Sequence, residues 1–371
     1  MLNAKRFPAS GRLVAGAQHM FKEIFEQPDA IRETLRGRVD AVQGVILEYE
    51  IGPLEVFRSM KHVVVVGCGT SRHAALVGKS FIEHFARLQV DVESGSEFRD
   101  RDPHLSPDTL FVAVAHSGED EDTIEAMQQA RNKGAFVLSI CSANGNSIAR
   151  LADCALHTHA GPEPGVVSSK TFTTQLATLY LLGLFLGNAR GTLTHDGIRK
   201  QLRLLSRIPE QIERVLDNSP AIEVLAERFC DCPHAICLAR GINLPVALEG
   251  AFKLNQISGI HAAAYPSAEI KHGPNVLVEK GTNVIVLVPR DKVYRKTLAN
   301  LQHLRTRDGL ALAIATEGDE EITAIVDYVL RIPEADAYSN PFLTAVSLQL
   351  FAYCLAELSG FQYAPMVRIE R

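Results

Sequence analysis

The stretch Lys61-His-Val-Val-Val-Val-Gly-Cys-Gly-Thr-Ser71 decides the fold. Four consecutive valines lack the alternation of a half-buried strand, so both faces of this strand must be covered. The Gly-x-Gly turn then releases the chain into a helix starting near Ser71, with apolar positions at Ala74, Ala75, Val77 and Phe81. A doubly buried strand followed at once by a helix opens a parallel α/β sheet. Downstream, residues 109–115, 135–141 and 154–158 read as further strands, with a helix over 122–133. Strands alternating with helices imply parallel pairing through right-handed crossovers.

The series then recurs. Ala235-Ile-Cys-Leu-Ala-Arg-Gly241 is another strand with a glycine turn, and 283–288, 310–315 and 328–332 continue it. Ala235 follows Val63 by 172 residues, Asn283 follows Leu110 by 173, Tyr328 follows Cys154 by 174 and Phe342 follows Phe172 by 170. A near-constant offset over four elements indicates duplication. The expected fold is α/β, with two duplicated domains, each an open parallel flavodoxin-like sheet flanked by helices. The expected boundaries are an N-terminal helical segment at 1–50, a first domain at 51–190, a linker at 191–220, and a second domain with its C-terminal tail at 221–371. Residues 13–60 read as helical. Met20, Phe21, Ile24 and Phe25 fall at helical spacing there, and Pro28 is expected to end that run.

Composition narrows the function classes. The 371 residues are 46% hydrophobic and 22% charged, as in an ordinary soluble chain of about two domains. A net charge of −5 offers no electrostatic footprint for nucleic acid. The longest apolar run, 176–186, is too short to span a bilayer, and residues 1–12 carry no secretory signal pattern. The seven cysteines are scattered, and Cys230, Cys232 and Cys237 lack the second pair of a zinc spacing. The expectations are a cytoplasmic protein with reduced thiols, no metal, no cofactor, and neither nucleic-acid nor membrane partners.

In open α/β sheets ligands sit beyond the carboxyl ends of the strands, at helix amino termini. Three loops qualify. Gly67-Cys-Gly-Thr-Ser71 offers backbone N–H groups and the Thr70 and Ser71 hydroxyls. Ala115-His-Ser-Gly-Glu-Asp-Glu-Asp-Thr123 precedes a helix for which Asp122 and Glu125 form a capping box. The third loop spans 161–175, where Ser168 or Ser169 would cap the helix that follows. A fourth stretch runs from Leu248 to Pro274. Within it Glu249, Lys253 and Gln256 are four and three residues apart, on one helix face. His272 follows in a Lys-His-Gly-Pro turn. An acid, an amine, an amide and an imidazole so placed could move protons on a small polar substrate. Glu249 and Lys253 could equally form a plain surface pair worth a few tenths of a kcal/mol, roughly.

These motifs resemble the isomerase half of glucosamine-6-phosphate synthase, which is built from two sugar-isomerase (SIS) domains. Leu248-Glu-Gly-Ala-Phe-Lys-Leu, Ile257-Ser, His261-Ala, Tyr265 and Lys271-His-Gly-Pro274 carry the resemblance, with Cys68-Gly-Thr-Ser71 and Lys22-Glu-Ile-Phe-Glu-Gln-Pro28. It implies a sugar 6-phosphate ligand, a homodimer in which His272 serves the neighbour's site, and sugar contacts from Gly69, Thr70, Ser71, His116, Ser117, Asp120, Val166 and Ser168. Glu249, Lys253, Gln256 and His272 would form the catalytic set.

Four departures qualify it. The family's glutamate base falls at Gln256, an amide that accepts no proton near neutral pH. Ala115, His116 and Asp120 replace a serine, a glutamine and a phosphate-binding hydroxyl. Asp120 facing a phosphate would cost about 1 kcal/mol per charge pair in water and roughly 4 at an effective dielectric of 20. Pro365 aligns with the family's terminal lysine, with Arg368 as the nearest cation. The chain is also expected to lack the family's upstream glutaminase. Three readings follow: an enzyme isomerising, aminating, deaminating or deglycating an (amino)sugar 6-phosphate, with Glu249 as the residual carboxylate; a non-catalytic sugar-phosphate-binding regulatory module; or a transferase subunit fed ammonia by a separate partner.

Overall fold

The computed structural model describes residues 17–40, 44–142, 145–165, 167–304 and 309–360. The chain begins with α1 (Ala17–Phe25) and α2 (Gln27–Leu35), an antiparallel pair β1 (Val39–Asp40) and β2 (Gly44–Val45), and short helices α3 (Glu48–Ile51) and α4 (Leu54–Arg58). The first lobe is β3 (His62–Gly67), α5 (Thr70–Ala86), β4 (Gln89–Glu93), α6 (Gly95–Asp100), β5 (Thr109–Val114), α7 (Glu121–Asn132), β6 (Phe136–Cys141), α8 (Ser147–Leu151), β7 (Cys154–His157) and α9 (Lys170–Ala189). Next come α10 (His195–Asp217) and α11 (Ser219–Ala226). The second lobe is β8 (His234–Ala239), α12 (Leu244–Ile257), β9 (His261–Pro266), β10 (Thr282–Val288), α13 (Tyr294–Leu304), β11 (Leu310–Thr316), α14 (Glu320–Thr323), β12 (Tyr328–Ile332) and α15 (Asn340–Ser359).

Each lobe holds a five-stranded sheet, ordered β4-β3-β5-β6-β7 in the first and β9-β8-β10-β11-β12 in the second. All pairings within both sheets are parallel. The strand order reverses at β3 and at β8, which makes the ends of these strands the switch points where ligands bind. The valine run behaves as its pattern demands. Val63 and Val65 face the apolar core shared with α5 and α9, while Val64 and Val66 face Phe98, Phe111 and Met127 on the other side.

Two edge strands escape the pattern reading. β4 and β9 begin 172 residues apart, at Gln89 and His261, and so obey the duplication. β4 alternates as Gln-Val-Asp-Val-Glu, and β9 is alanine-rich, so neither has the apolar density of an interior strand. The amino-terminal segment also differs from the expected run of helix. The β1–β2 pair interrupts it, and Pro28 lies in the first turn of α2 rather than ending α1. Proline is tolerated there because the first helical N–H groups have no intrahelical acceptor.

α9 and α15 are the apolar hearts of the lobes, and each is buried nearly all round. α15 has the length and hydropathy to cross a membrane, yet 83% of its apolar window is buried within this chain. Gln27 braces the two helices. Its Nε2 donates to Gln349 Oε1 on α15 at 2.9 Å, and its Oε1 accepts from Thr173 Oγ1 on α9 at 2.9 Å. α12 lies between α15 and α5. Gly250 sets its approach to α15, because a Cβ there would fall 1.9 Å from Leu348 Cδ2. That contact fixes which face of α12 turns towards α5.

Candidate functional site

The Gly-x-Gly turn aims the first functional groups. A Cβ at Gly67 would meet the Val114 carbonyl oxygen at 2.9 Å, so only glycine lets β3 turn this tightly beside β5. Gly69 takes φ +51° and leads directly into Thr70 at the start of α5. Thr70 and His73 stand one turn apart on the face of α5 opposite α12, and Ser71 points elsewhere, to α9. Gln175 Nε2 donates to Ser71 Oγ at 2.9 Å.

Across from Thr70, α12 presents Glu249 and Lys253, with side chains 2% and 1% exposed and 2.9 Å apart. This is no surface pair. Thr70 Oγ1 donates to Glu249 Oε1 at 3.0 Å and accepts from Lys253 Nζ at 3.0 Å. His73 Nδ1 lies 2.7 Å from Glu249 Oε2. Lys253 Nζ also donates to Gln256 Oε1 at 3.3 Å. One residue from the first lobe thus touches both charged partners from the second. Burial works to raise the Glu249 carboxyl, but the Lys253 ammonium and the His73 imidazole together hold it below the ordinary carboxylate range. Both Glu249 oxygens are engaged, so the group orients its neighbours and has little basicity to offer a substrate.

The second loop lies against the first. Asp120 does not face a ligand space as a free anion. It caps α7, where Oδ2 accepts from Thr123 N at 3.0 Å and from Thr123 Oγ1 at 2.5 Å, and Cys68 Sγ donates to it at 3.3 Å. Burial first, then the Asp120 charge, pushes the Cys68 thiol up, which keeps it a donor. The capping box expected from Asp122 and Glu125 is not formed. Arg99 draws both carboxylates, at 2.5 and 3.4 Å, and Asp120 takes the cap. Ser117 Oγ accepts from the Glu119 N–H at 3.3 Å.

His116 turns to the third loop. Its Nδ1 lies 2.7 Å from Thr171 Oγ1, whose hydroxyl donates to Glu163 Oε2 at 2.5 Å. Glu163 Oε1 also accepts from the Ser169 and Thr171 N–H groups, at 2.7 and 3.3 Å. The first turn of α9 is therefore capped by Glu163, not by the side chain of Ser168 or Ser169. Ser168 is half-buried beside it. Val166, Pro365 and Arg368 lie outside the described residues.

The chain thus brings together Gly69, Thr70, Glu249, Lys253 and Gln256, and sets Asp120 beside them through Cys68, while Ser71 turns to α9 and Ser117 bonds to Glu119 and Asn146. It does not bring in His272, which ends a 3-10 turn (Glu269–His272) and is exposed, with exposed Val276 and Leu277 just beyond. Sequence reasoning passed over His73, Gln175 and Glu163. His73 alone had a local signal, as it falls three residues after Thr70 on the same helix face.

Comparison with known proteins agrees with this architecture. The SIS domain family matches residues 56–184 and 229–358. Glutamine–fructose-6-phosphate aminotransferase (isomerizing) from Chlorobaculum tepidum is 43% identical over 347 residues, which is 93% of this chain and 56% of that protein. The Streptomyces coelicolor protein of the same name is 43% identical over 348 residues, 93% of this chain and 57% of its own. The chain spans about half the length of these curated relatives. Among solved structures, the C-terminal domain of glucosamine-fructose-6-phosphate aminotransferase from Francisella tularensis superposes with a TM-score of 0.88 at 36% identity, covering 92% of this chain and 96% of that one. Tagatose-6-phosphate ketose/aldose isomerase from Escherichia coli shares the fold, with a TM-score of 0.77 at 20% identity. Two parallel sheets related by duplication, matched twice by one family along the chain, make this a tandem SIS-domain protein, homologous to the isomerase half of the glutamine–fructose-6-phosphate aminotransferases.

Proposed function

We propose that this chain binds a sugar 6-phosphate, or its amino or Amadori derivative, and moves protons between its first carbons, in isomerisation, amination or deamination, or deglycation. One observation carries the reading: Thr70 Oγ1 stands 3.0 Å from both Glu249 and Lys253, so the anion-suited loop of one lobe meets the polar helix face of the other. The Gly69–Ser71 turn and the amino terminus of α5 would hold the phosphate. Because Asp120 is turned into its own helix cap, its charge is already compensated and does not repel a dianion at full strength. In a homodimer, exposed Val276 and Leu277 would be covered and His272 delivered to the neighbour's site. An ammonia-supplying partner belongs to the transferase form of this reading.

A second reading has its own support. Gln256 is an amide, and Glu249 is fully engaged by donors. A site that keeps the Cys68–Ser71 turn while these two groups cannot take a proton fits a sugar-phosphate-binding regulatory module. Thermal-shift titration with fructose 6-phosphate, glucosamine 6-phosphate and the unphosphorylated sugars separates the two. Both readings require stabilisation by phosphorylated sugars alone. Ketose–aldose exchange or ammonia release then selects the enzyme, and binding without turnover selects the module. No shift with any sugar phosphate refutes both.

A further inference from the structure

We infer that His73 is the proton-moving base of this site, held in place by Glu249. The inference deepens the enzymatic reading above and rests on it. The other candidates in the cluster are disqualified one by one. Gln256 is an amide. Lys253 is paired with a buried carboxylate at 2.9 Å. Both oxygens of Glu249 already accept hydrogen bonds, from Thr70, Lys253 and His73. Cys68 donates to Asp120.

His73 differs from all of these. Glu249 is ionised and can only accept, so the 2.7 Å contact to Nδ1 requires the proton to sit on Nδ1. In the neutral ring the lone pair then lies on Nε2, at the ring edge turned away from Glu249. No partner for Nε2 occurs among the described residues, and the side chain stays 13% exposed. The Phe252 ring stands edge-on to the imidazole, with centroids 5.7 Å apart at 79°, and fixes its plane. Glu249 of α12 faces His73 across the lobe boundary, and Lys253 is paired with that carboxylate. His73 sits one helical turn after Gly69 and Thr70, beside the turn expected to hold the phosphate, and its backbone N–H donates to the Gly69 carbonyl at 3.1 Å.

The step balances without any further reactant. Nε2 takes the proton from the carbon next to the sugar carbonyl. The C–H electron pair becomes the carbon–carbon double bond of an enediolate, and the carbonyl oxygen takes the charge. Glu249 stabilises the resulting imidazolium through Nδ1, the hydroxyl proton on the first carbon passes to the former carbonyl oxygen, and Nε2–H then returns its proton to the neighbouring carbon as the first carbon's oxygen becomes the new carbonyl. Glu249 is a positioning residue in this scheme.

The test is solvent deuterium exchange into fructose 6-phosphate, followed by proton NMR across a pH series, with wild type, His73→Asn and His73→Ala. Asparagine keeps an amide donor for Glu249 and removes the base, so fold and binding are preserved. Wild type is expected to exchange deuterium at the carbon next to the carbonyl. His73→Asn should lose roughly 10²-fold or more while keeping its thermal shift with the sugar phosphate. Added imidazole should recover exchange in His73→Ala, which a purely structural role would not allow. Exchange by His73→Asn close to the wild-type rate overturns the assignment. Wild type that binds the sugar phosphate without exchanging also overturns it, while leaving the binding module standing. Absence of binding by wild type overturns the assignment together with the functional reading beneath it.

Discussion

Removing one charge from the Glu249–Lys253 pair should damage the protein more than removing both. The two side chains are 2% and 1% exposed at 2.9 Å, so neither can be rescued by water. In Lys253→Met, Glu249 keeps only Thr70 and His73 as donors, and burial acts unopposed by the ammonium. In Glu249→Gln, the Lys253 ammonium keeps two neutral acceptors, Thr70 Oγ1 at 3.0 Å and Gln256 Oε1 at 3.3 Å. Breaking a buried pair from one side costs about 3–5 kcal/mol, because an uncompensated charge stays behind. The double variant carries no buried charge, and its glutamine still accepts from His73. Exchanging both partners for neutral groups of similar volume is often close to neutral. The double variant should therefore lie nearer wild type than either single, with a coupling of about 3 kcal/mol. Urea denaturation followed by circular dichroism at pH 7.5 measures it; at about that pH Glu249 is ionised in both folded and unfolded chains. The carboxyl lies below its ordinary range when folded, so its contribution is present above the unfolded pKa and lost as acid carries the pH through the lower folded value. Single variants that each cost under about 1 kcal/mol and add independently would refute the buried-pair account.

Two further outcomes are expected. Burial raises the Glu23 carboxyl from 4.5 to about 7, so between those values the folded chain keeps a proton that the unfolded chain has shed. Stability then falls as pH rises through that window, and Glu23→Gln, which keeps an acceptor for the Gly165 N–H, should flatten the fall in Tm between about pH 5 and 8; an unchanged slope would clear Glu23 of the effect. Gln256→Glu places a carboxylate 3.3 Å from the Lys253 ammonium and should raise ketose–aldose exchange by about 10²–10⁴-fold, even alongside His73→Asn. No gain with the sugar still bound would put Gln256 out of reach of the reacting carbons.

The fold was legible wherever local pattern and burial coincide. Val63–Val66 could only be an interior strand, and the spacing from Val63 to Ala235 doubled every inference made from it. What escaped were two of the four sheet edges, β4, which alternates polar with apolar residues, and β9, which is rich in alanine; the other two edges, β7 and β12, were read. The amino-terminal segment failed for a different reason. Pro28 breaks a helix or begins one depending on which side the chain bends, and the bend at Glu26 is set by packing on α9 and α15 through Gln27.

The site divides along the same line. Glu249 and Lys253 were legible as neighbours because four residues make one helical turn, yet their worth depends on burial that no local pattern reports. Thr70 and His73 reach them from 179 and 176 residues away. Asp120 shows how a local signal can be outbid. Two carboxylates, at 120 and 122, could each have begun α7, and the alternative with a glutamate three residues on had the better pattern. Arg99 settles the competition by drawing Asp122 and Glu125 together, which frees the α7 amino terminus for Asp120. A residue that looks like a lost phosphate ligand is thereby half accounted for as a cap. The chemistry that the missing hydroxyl and the missing glutamate would have supplied must come, if it is present, from groups left with a free lone pair. In the cluster joining the two lobes that condition points to a histidine on α5, not to any member of the helix face whose spacing first drew notice.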